Sequence, residues 1–153
     1  MRGVGPTKAT QILAAIELGR RLYKEKEEKA VYIHSPADVL KEVDHILENK
    51  KENFITLYLD ARNKLIHKET ISIGTLNASL VHPREVFEPA VRHLAAQIIL
   101  VHNHPAGDSS PSEEDLEVTK QLIAAGKILG IEIKDHTIVS KNDFFSFKEH
   151  KLL

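Results

Sequence analysis

The sequence contains no cysteine. Disulfides therefore play no part in holding it together, and every thiolate-ligated metal site is ruled out, so a bound metal would rest on imidazole and carboxylate alone. Long apolar runs are missing too. Nothing approaches the about 18 consecutive apolar residues of a membrane span, and the N-terminus lacks the apolar stretch of a secretory signal. A cytoplasmic protein with no membrane association is expected. Nor is there an excess of charge of one sign: 21 Lys and Arg stand against 22 Asp and Glu, a net charge of -1. No global field draws the chain toward nucleic acid or anionic lipid.

What remains is an ordinary globular composition, 42% hydrophobic and 28% charged over 153 residues. A chain of this length can bury roughly two thirds of the surface it exposes when unfolded. In Gly3-Val-Gly5-Pro6, two glycines open a helical pattern carried by Ile12, Leu13 and Ile16, and the charged run from Arg20 to Lys29 reads as a solvated helix end or linker. Ser35-Pro36-Ala37-Asp38 supplies an N-cap, a first-turn proline and a first-turn acid, predicting a helix over about 36–48. Phe54–Leu59, the turn at Asp60–Asn63 and the alternating stretch Leu65–Ile73 predict a β-hairpin. His82-Pro83 opens a helix through Val86, Val91 and Leu94, with Pro89 expected to kink or delay it. Gln97–Val101 is apolar after its first residue, as in a strand buried on both faces. A helix over 112–129 with Leu116, Leu122, Ile123 and Leu129 inward and Gly130 as its stop, a strand over 131–139 and a short edge strand at 144–147 complete the pattern. Strands interleaved with helices define an α/β class with a central mixed β-sheet flanked by helices.

The chemistry begins where the buried strand ends, in His102-Asn103-His104-Pro105. Residues two apart on a strand share a face, so both imidazoles can aim at one point beyond the sheet. Asp115 falls at the third position of the next helix, from where its carboxylate can reach back to that point. Ser112-x-x-Asp115 is equally the pattern of a helix capping box, which needs no metal. Two histidines and one carboxylate suit zinc, and three protein ligands leave the fourth tetrahedral position for water, whose pKa the ion lowers toward neutrality.

The string His102-Asn-His104-Pro-Ala-Gly-Asp108, followed by Ser112-x-x-Asp115, resembles the JAMM metalloprotease motif. Together with Gly74-Thr-Leu-Asn77, Val81-His-Pro-Arg-Glu85 and Asp135-His-Thr-Ile-Val139, it is similar to the bacterial RadC family over roughly residues 35–147. The resemblance implies a JAMM-like (cytidine deaminase-like, MPN-type) domain over 30–153 and a zinc metallohydrolase, a peptidase or isopeptidase acting on a peptide or protein. It implies His102, His104 and Asp115 as metal ligands and Ser112 as a donor to the oxyanion. It also implies an upstream glutamate that accepts a proton from water and passes it to the leaving amine; Glu52, just before the first core strand, occupies that place, with Glu85 and Glu48 as fallbacks and a solvated charge as the bland reading. Asp135-His136 is either a carboxylate supporting a metal-bound imidazole or a strand-end pair, while His82 reads as a helix start and Asp108 as a loop residue near the site mouth.

Two other readings fall away. In HNH nucleases the three letters are dispersed over a ββα unit, unlike the contiguous string here, and zinc nucleoside deaminases need cysteine ligands. Residues 1–29 resemble part of a helix-hairpin-helix unit, whose glycine turn binds DNA phosphate; the unit's first helix is missing, so the segment reads as a truncated remnant and linker helix. The rival function is therefore a DNA repair-associated module with a structural or non-catalytic metal site, binding DNA through that unit in the full-length chain. Oligomeric state is left open.

Overall fold

The computed structural model describes residues 5–28, 30–74 and 81–153. The chain divides into two units, Met1–Val31 and Tyr32–Leu153. The first contains the helix α1 (Pro6–Glu28), begun by the proline and running through the charged stretch that the sequence presented as a helix end or linker. Glu17 bridges Arg20 and Arg21 one turn on, the spacing at which helical side chains meet. The glycine turn expected to bind phosphate includes Gly3, which lies outside the described residues. No described helix is long and apolar enough to cross a membrane.

The second unit is α/β, with a mixed five-stranded sheet ordered β2-β1-β3-β4-β5. A helix, α2 (Pro36–Val43), ends sooner than its pattern predicts and continues as a 3-10 turn at Asp44–Ile46. The hairpin of β1 (Glu52–Leu59) and β2 (Leu65–Gly74) follows, then α3 (Pro83–Arg92), β3 (Gln97–Asn103), α4 (Glu113–Leu129), β4 (Glu132–Val139) and the short edge strand β5 (Phe144–Ser146). Pro89 lies inside α3 and is buried without ending it. The segment 75–80, which holds most of the Gly-Thr-Leu-Asn motif, is outside the described residues.

β3 is the central strand, antiparallel to β1 and parallel to β4, with α4 as the crossover between the parallel pair. Every residue of β3 is buried, because both faces of the sheet are covered. One face packs Phe54, Tyr58, Ile98 and Leu100 against Val86 and Phe87 of α3 and Val118 and Leu122 of α4. The other packs Ile55, Leu57, Ile99 and Val101 against Ile33 and the α2 residues Val39 and Val43.

Two helix faces differ from their sequence patterns. In α3 the inward residues are Val86, Phe87, Pro89 and Ala90, whereas Val91 and the following Leu94 face solvent. In α4 the buried stripe is Asp115, Val118, Thr119, Leu122 and Gly126, and Leu129 is half exposed. Asp115 and Thr119, two of the three stripe positions nearest the helix start, are polar. They belong to the site.

Candidate metal centre

The ladder fixes the two histidines first. His102 is paired with Phe54 of β1 and Ile138 of β4 inside the strand, and His104 stays in line because its N–H donates to the Val139 carbonyl at 2.9 Å. The chain then turns through Pro105 and Gly107. Gly107 takes φ +93°, a conformation open to glycine, and this brings the Asp108 carbonyl back to accept from His104 Nδ1 at 2.8 Å. Nε2 of His104 is thereby left facing the site.

Asp115 arrives from the other side, on the first turn of α4. Its Oδ2 accepts from the Ser112 N–H at 2.8 Å and the Ser112 hydroxyl at 2.7 Å, and Ser112 Oγ accepts from the Asp115 N–H at 3.1 Å. The capping box therefore exists. It leaves Oδ1 directed at His102 Nε2, 3.1 Å away, while Oδ2 lies 3.5 Å from His104 Nε2. One carboxylate serves both purposes the sequence allowed it.

The two imidazole Nε2 atoms stand 3.0 Å apart. Bare nitrogen lone pairs at that distance repel unless a proton or a cation lies between them, and the adjacent carboxylate favours a cation. Donors around a tetrahedral ion at about 2.0–2.1 Å are themselves about 3.3–3.4 Å apart. The separations of 3.0 Å between the imidazoles, 3.1 Å from His102 to Asp115 Oδ1 and 3.5 Å from His104 to Asp115 Oδ2 lie near that edge length, and one donor atom from each residue lies within 4.8 Å of the others, so the residues present fit a zinc ion. His102 and Asp115 are almost wholly buried and His104 partly so. Burial by itself raises the Asp115 carboxyl, but its contacts with His102, His104 and Ser112 outweigh it and hold Asp115 far below the usual carboxylate range. His104 is raised, chiefly by Asp115; His102 is lowered, chiefly by burial.

Glu52 heads β1, and the β1–β3 register, in which Phe54 faces His102, carries Glu52 to the level of His104 on the same face of the sheet. Its charge is a minor upward pull on both histidines, beside the larger effects of Asp115 and burial. With Lys50, Lys51, Gly74 and Pro105 it lines a cavity of about 310 Å³ beside the ligands. The fallback acids lie elsewhere. Glu48 pairs with Lys141, and Glu85 is exposed on α3 in a separate hollow with Glu69 and Arg84.

The other polar residues fall within the readings their sequence allowed, His82 at a helix start and Asp108 in the loop beside the site. His82 caps α3, its Nδ1 accepting from the Arg84 N–H at 3.1 Å. Asp108 meets His104 through its backbone, while its carboxylate accepts from the Ser110 N–H. Asp135 does not support a metal-bound imidazole. It accepts from the Ser146 hydroxyl, the Lys148 N–H and the His136 N–H, tying the C-terminal turn to β4. Its neighbour His136 is the residue that touches His102, with Nε2 2.9 Å from His102 Nδ1.

A bulge explains the exchange. Ile133 faces the α3–α4 side, and strict alternation would place Asp135 there too. The register slips by one residue between Ile98 and Ile99, where Ile98 faces Ile133 but Ile99 faces Asp135, and this turns His136 to the site face. Two further residues escaped the sequence reading. Asn103, pointing away from the histidines, accepts from the Asn53 N–H at 2.8 Å and donates to the Lys51 carbonyl at 3.2 Å, clamping the backbone on both sides of Glu52. Thr119, one turn beyond Asp115 on the same helix face, touches His136 at 2.6 Å. Only its spacing from Asp115 could have signalled it.

A mixed-sheet α/β domain with a buried His-His-Asp group at the end of its central strand defines the class of JAB/MPN-type domains. Residues 33–152 match the RadC-like JAB domain model, and the chain belongs to that family. It is 48% identical over 153 residues to the UPF0758 protein of Geobacillus thermodenitrificans, covering 97% of this chain and 66% of that one. A UPF0758 protein of Desulforamulus reducens is 50% identical over 154 residues, covering 100% and 68%. A third, from Bacillus cereus, is 48% identical over 153 residues, covering 97% and 67%. The chain thus spans about two thirds of the length of these curated relatives.

Proposed function

We propose that this domain is a zinc-dependent hydrolase of amide bonds, a peptidase or isopeptidase acting on a peptide or protein. The observation that carries the reading is the convergence of His102 Nε2, His104 Nε2 and the Asp115 carboxylate, one donor atom from each within 4.8 Å of the others, with Glu52 level with His104 on the same sheet face. Zinc in such a three-ligand site supplies Lewis acidity and a water of lowered pKa.

The chain's own residues do the rest. Glu52 takes the proton of the attacking water on its carboxylate and returns it to the leaving nitrogen, acting as base and then as acid. Its half-buried position suits this, because it borders the cavity beside the histidines. Ser112 is exposed at the start of α4, and its hydroxyl turns from Asp115 Oδ2 to the oxyanion of the tetrahedral adduct. Its own Oγ still accepts from the Asp115 N–H, so the cap survives the turn.

The test is cleavage of a mixed peptide library read by mass spectrometry. We expect cleavage by the zinc-loaded protein, loss on chelation, and a fall of about 10²–10⁴-fold in Glu52→Gln with zinc retained. Cleavage that persists after complete removal of metal overturns the zinc reading. Unchanged turnover in Glu52→Gln removes Glu52 from the mechanism.

A further inference from the structure

His102 has two ring nitrogens, and only a bare Nε2 can meet a metal. What decides where its proton sits is a chain of contacts buried behind it. His102 Nδ1 lies 2.9 Å from His136 Nε2, His136 Nδ1 lies 2.6 Å from Thr119 Oγ1, and Thr119 Oγ1 lies 2.6 Å from the Asp115 backbone carbonyl. His102, His136 and Thr119 are all at most 1% exposed, so solvent lends or removes nothing along the chain.

The last link orients all the others. A carbonyl oxygen only accepts, so the single hydroxyl proton of Thr119 is committed to Asp115. Thr119 Oγ1 can then only accept from His136, which places a proton on His136 Nδ1. A second proton on His136 would make a cation in a fully enclosed position, so its Nε2 is the bare nitrogen and accepts from His102 Nδ1–H. We infer that Thr119 and His136 are positioning residues, a buried relay that holds a proton on His102 Nδ1 and so presents its Nε2 lone pair to the metal. His104 reaches the same state by one step, donating Nδ1–H straight to the Asp108 carbonyl. The same helix turn thus supplies the site twice: Asp115 gives a ligand with its side chain and, through Thr119 and His136, sets a second ligand with its backbone.

This rests on the proposed metal reading, yet its first test needs no metal. Long-range nitrogen–proton NMR on the metal-free protein should show His136 with a protonated Nδ1 and a bare Nε2, the reverse of the tautomer free imidazoles favour. A protonated Nε2 with a bare Nδ1 at His136 overturns the relay, whether or not the protein binds zinc. A protein with the expected tautomer that fails to take up zinc contradicts the metal reading alone. Thr119→Val removes the hydroxyl at nearly constant shape, and zinc affinity measured by competition with a chelating dye should fall about 10–100-fold. Thr119→Ser should restore both affinity and tautomer. A folded Thr119→Val protein with wild-type affinity and tautomer, or a Thr119→Ser protein as weak as Thr119→Val, overturns the inference.

Discussion

Two helices in this domain start with the same words and end up doing different things. Ser35 and Asp38 open α2; Ser112 and Asp115 open α4. In both, one aspartate oxygen accepts from the serine N–H and hydroxyl, at 3.2 and 2.9 Å for Asp38 and at 2.8 and 2.7 Å for Asp115. The difference is where the second oxygen points. Asp38 Oδ1 meets Lys41 Nζ at 3.1 Å on the surface, whereas Asp115 Oδ1 meets His102 Nε2 at 3.1 Å with 1% of its side chain exposed. A capping box is therefore no evidence against a metal ligand. The cap orients the carboxylate, and what stands opposite decides its chemistry.

Breaking that comparison outright should take one substitution. Asp115→Asn is expected to abolish zinc retention and all turnover, while Asp38→Asn keeps both; zinc content and cleavage rates measured side by side check this. The next effect separates the serines. Ser112→Ala should lower turnover about 10²–10³-fold with zinc retained, beyond whatever the helix start loses. Ser35→Ala should shift only the melting temperature, by the modest amount a lost cap costs. Equal turnover in the two serine variants would reduce Ser112 to a cap.

A smaller effect probes Glu52 without touching either helix. Asn103 brackets Glu52 from behind, so Asn103→Ala should misplace the carboxylate and cost up to about 10²-fold in turnover, with zinc affinity unchanged. Loss of zinc in that variant would show Asn103 to hold β3 rather than β1.

The smallest effect is in pH. Hydrogen bonds from the Ser35 hydroxyl and Lys41 lower Asp38 from 3.8 to about 2. A carboxyl depressed on folding stabilises above its unfolded pKa and loses that contribution as pH falls through the folded value. The melting-temperature gap between wild type and Asp38→Asn should be full above about pH 4 and vanish toward pH 2. A gap constant across that range means the charge contributes nothing.

The legible part of the site was what one element carries by itself. His102 and His104 are two apart on a strand whose apolar run was unmistakable, and Ser112 and Asp115 lie one helical turn apart at a plain helix start. What escaped depends on contacts between elements. No local pattern announces the one-residue slip opposite Ile98, so Asp135 and His136 exchanged faces. The inward stripe of α4 looked apolar at Leu116 and Leu129 because its true members, Asp115 and Thr119, are polar residues buried to serve the site. The same holds for Val91 and Leu94, apolar side chains left on the surface beyond the reach of the sheet.

The most direct measurement of the central claim is metal content. Protein purified without chelator and analysed by inductively coupled plasma mass spectrometry should carry about one zinc ion per chain, held in the site that Asp115 completes. Asp115→Asn should carry none. Folded wild-type protein that stays free of zinc when the ion is supplied in excess would contradict it.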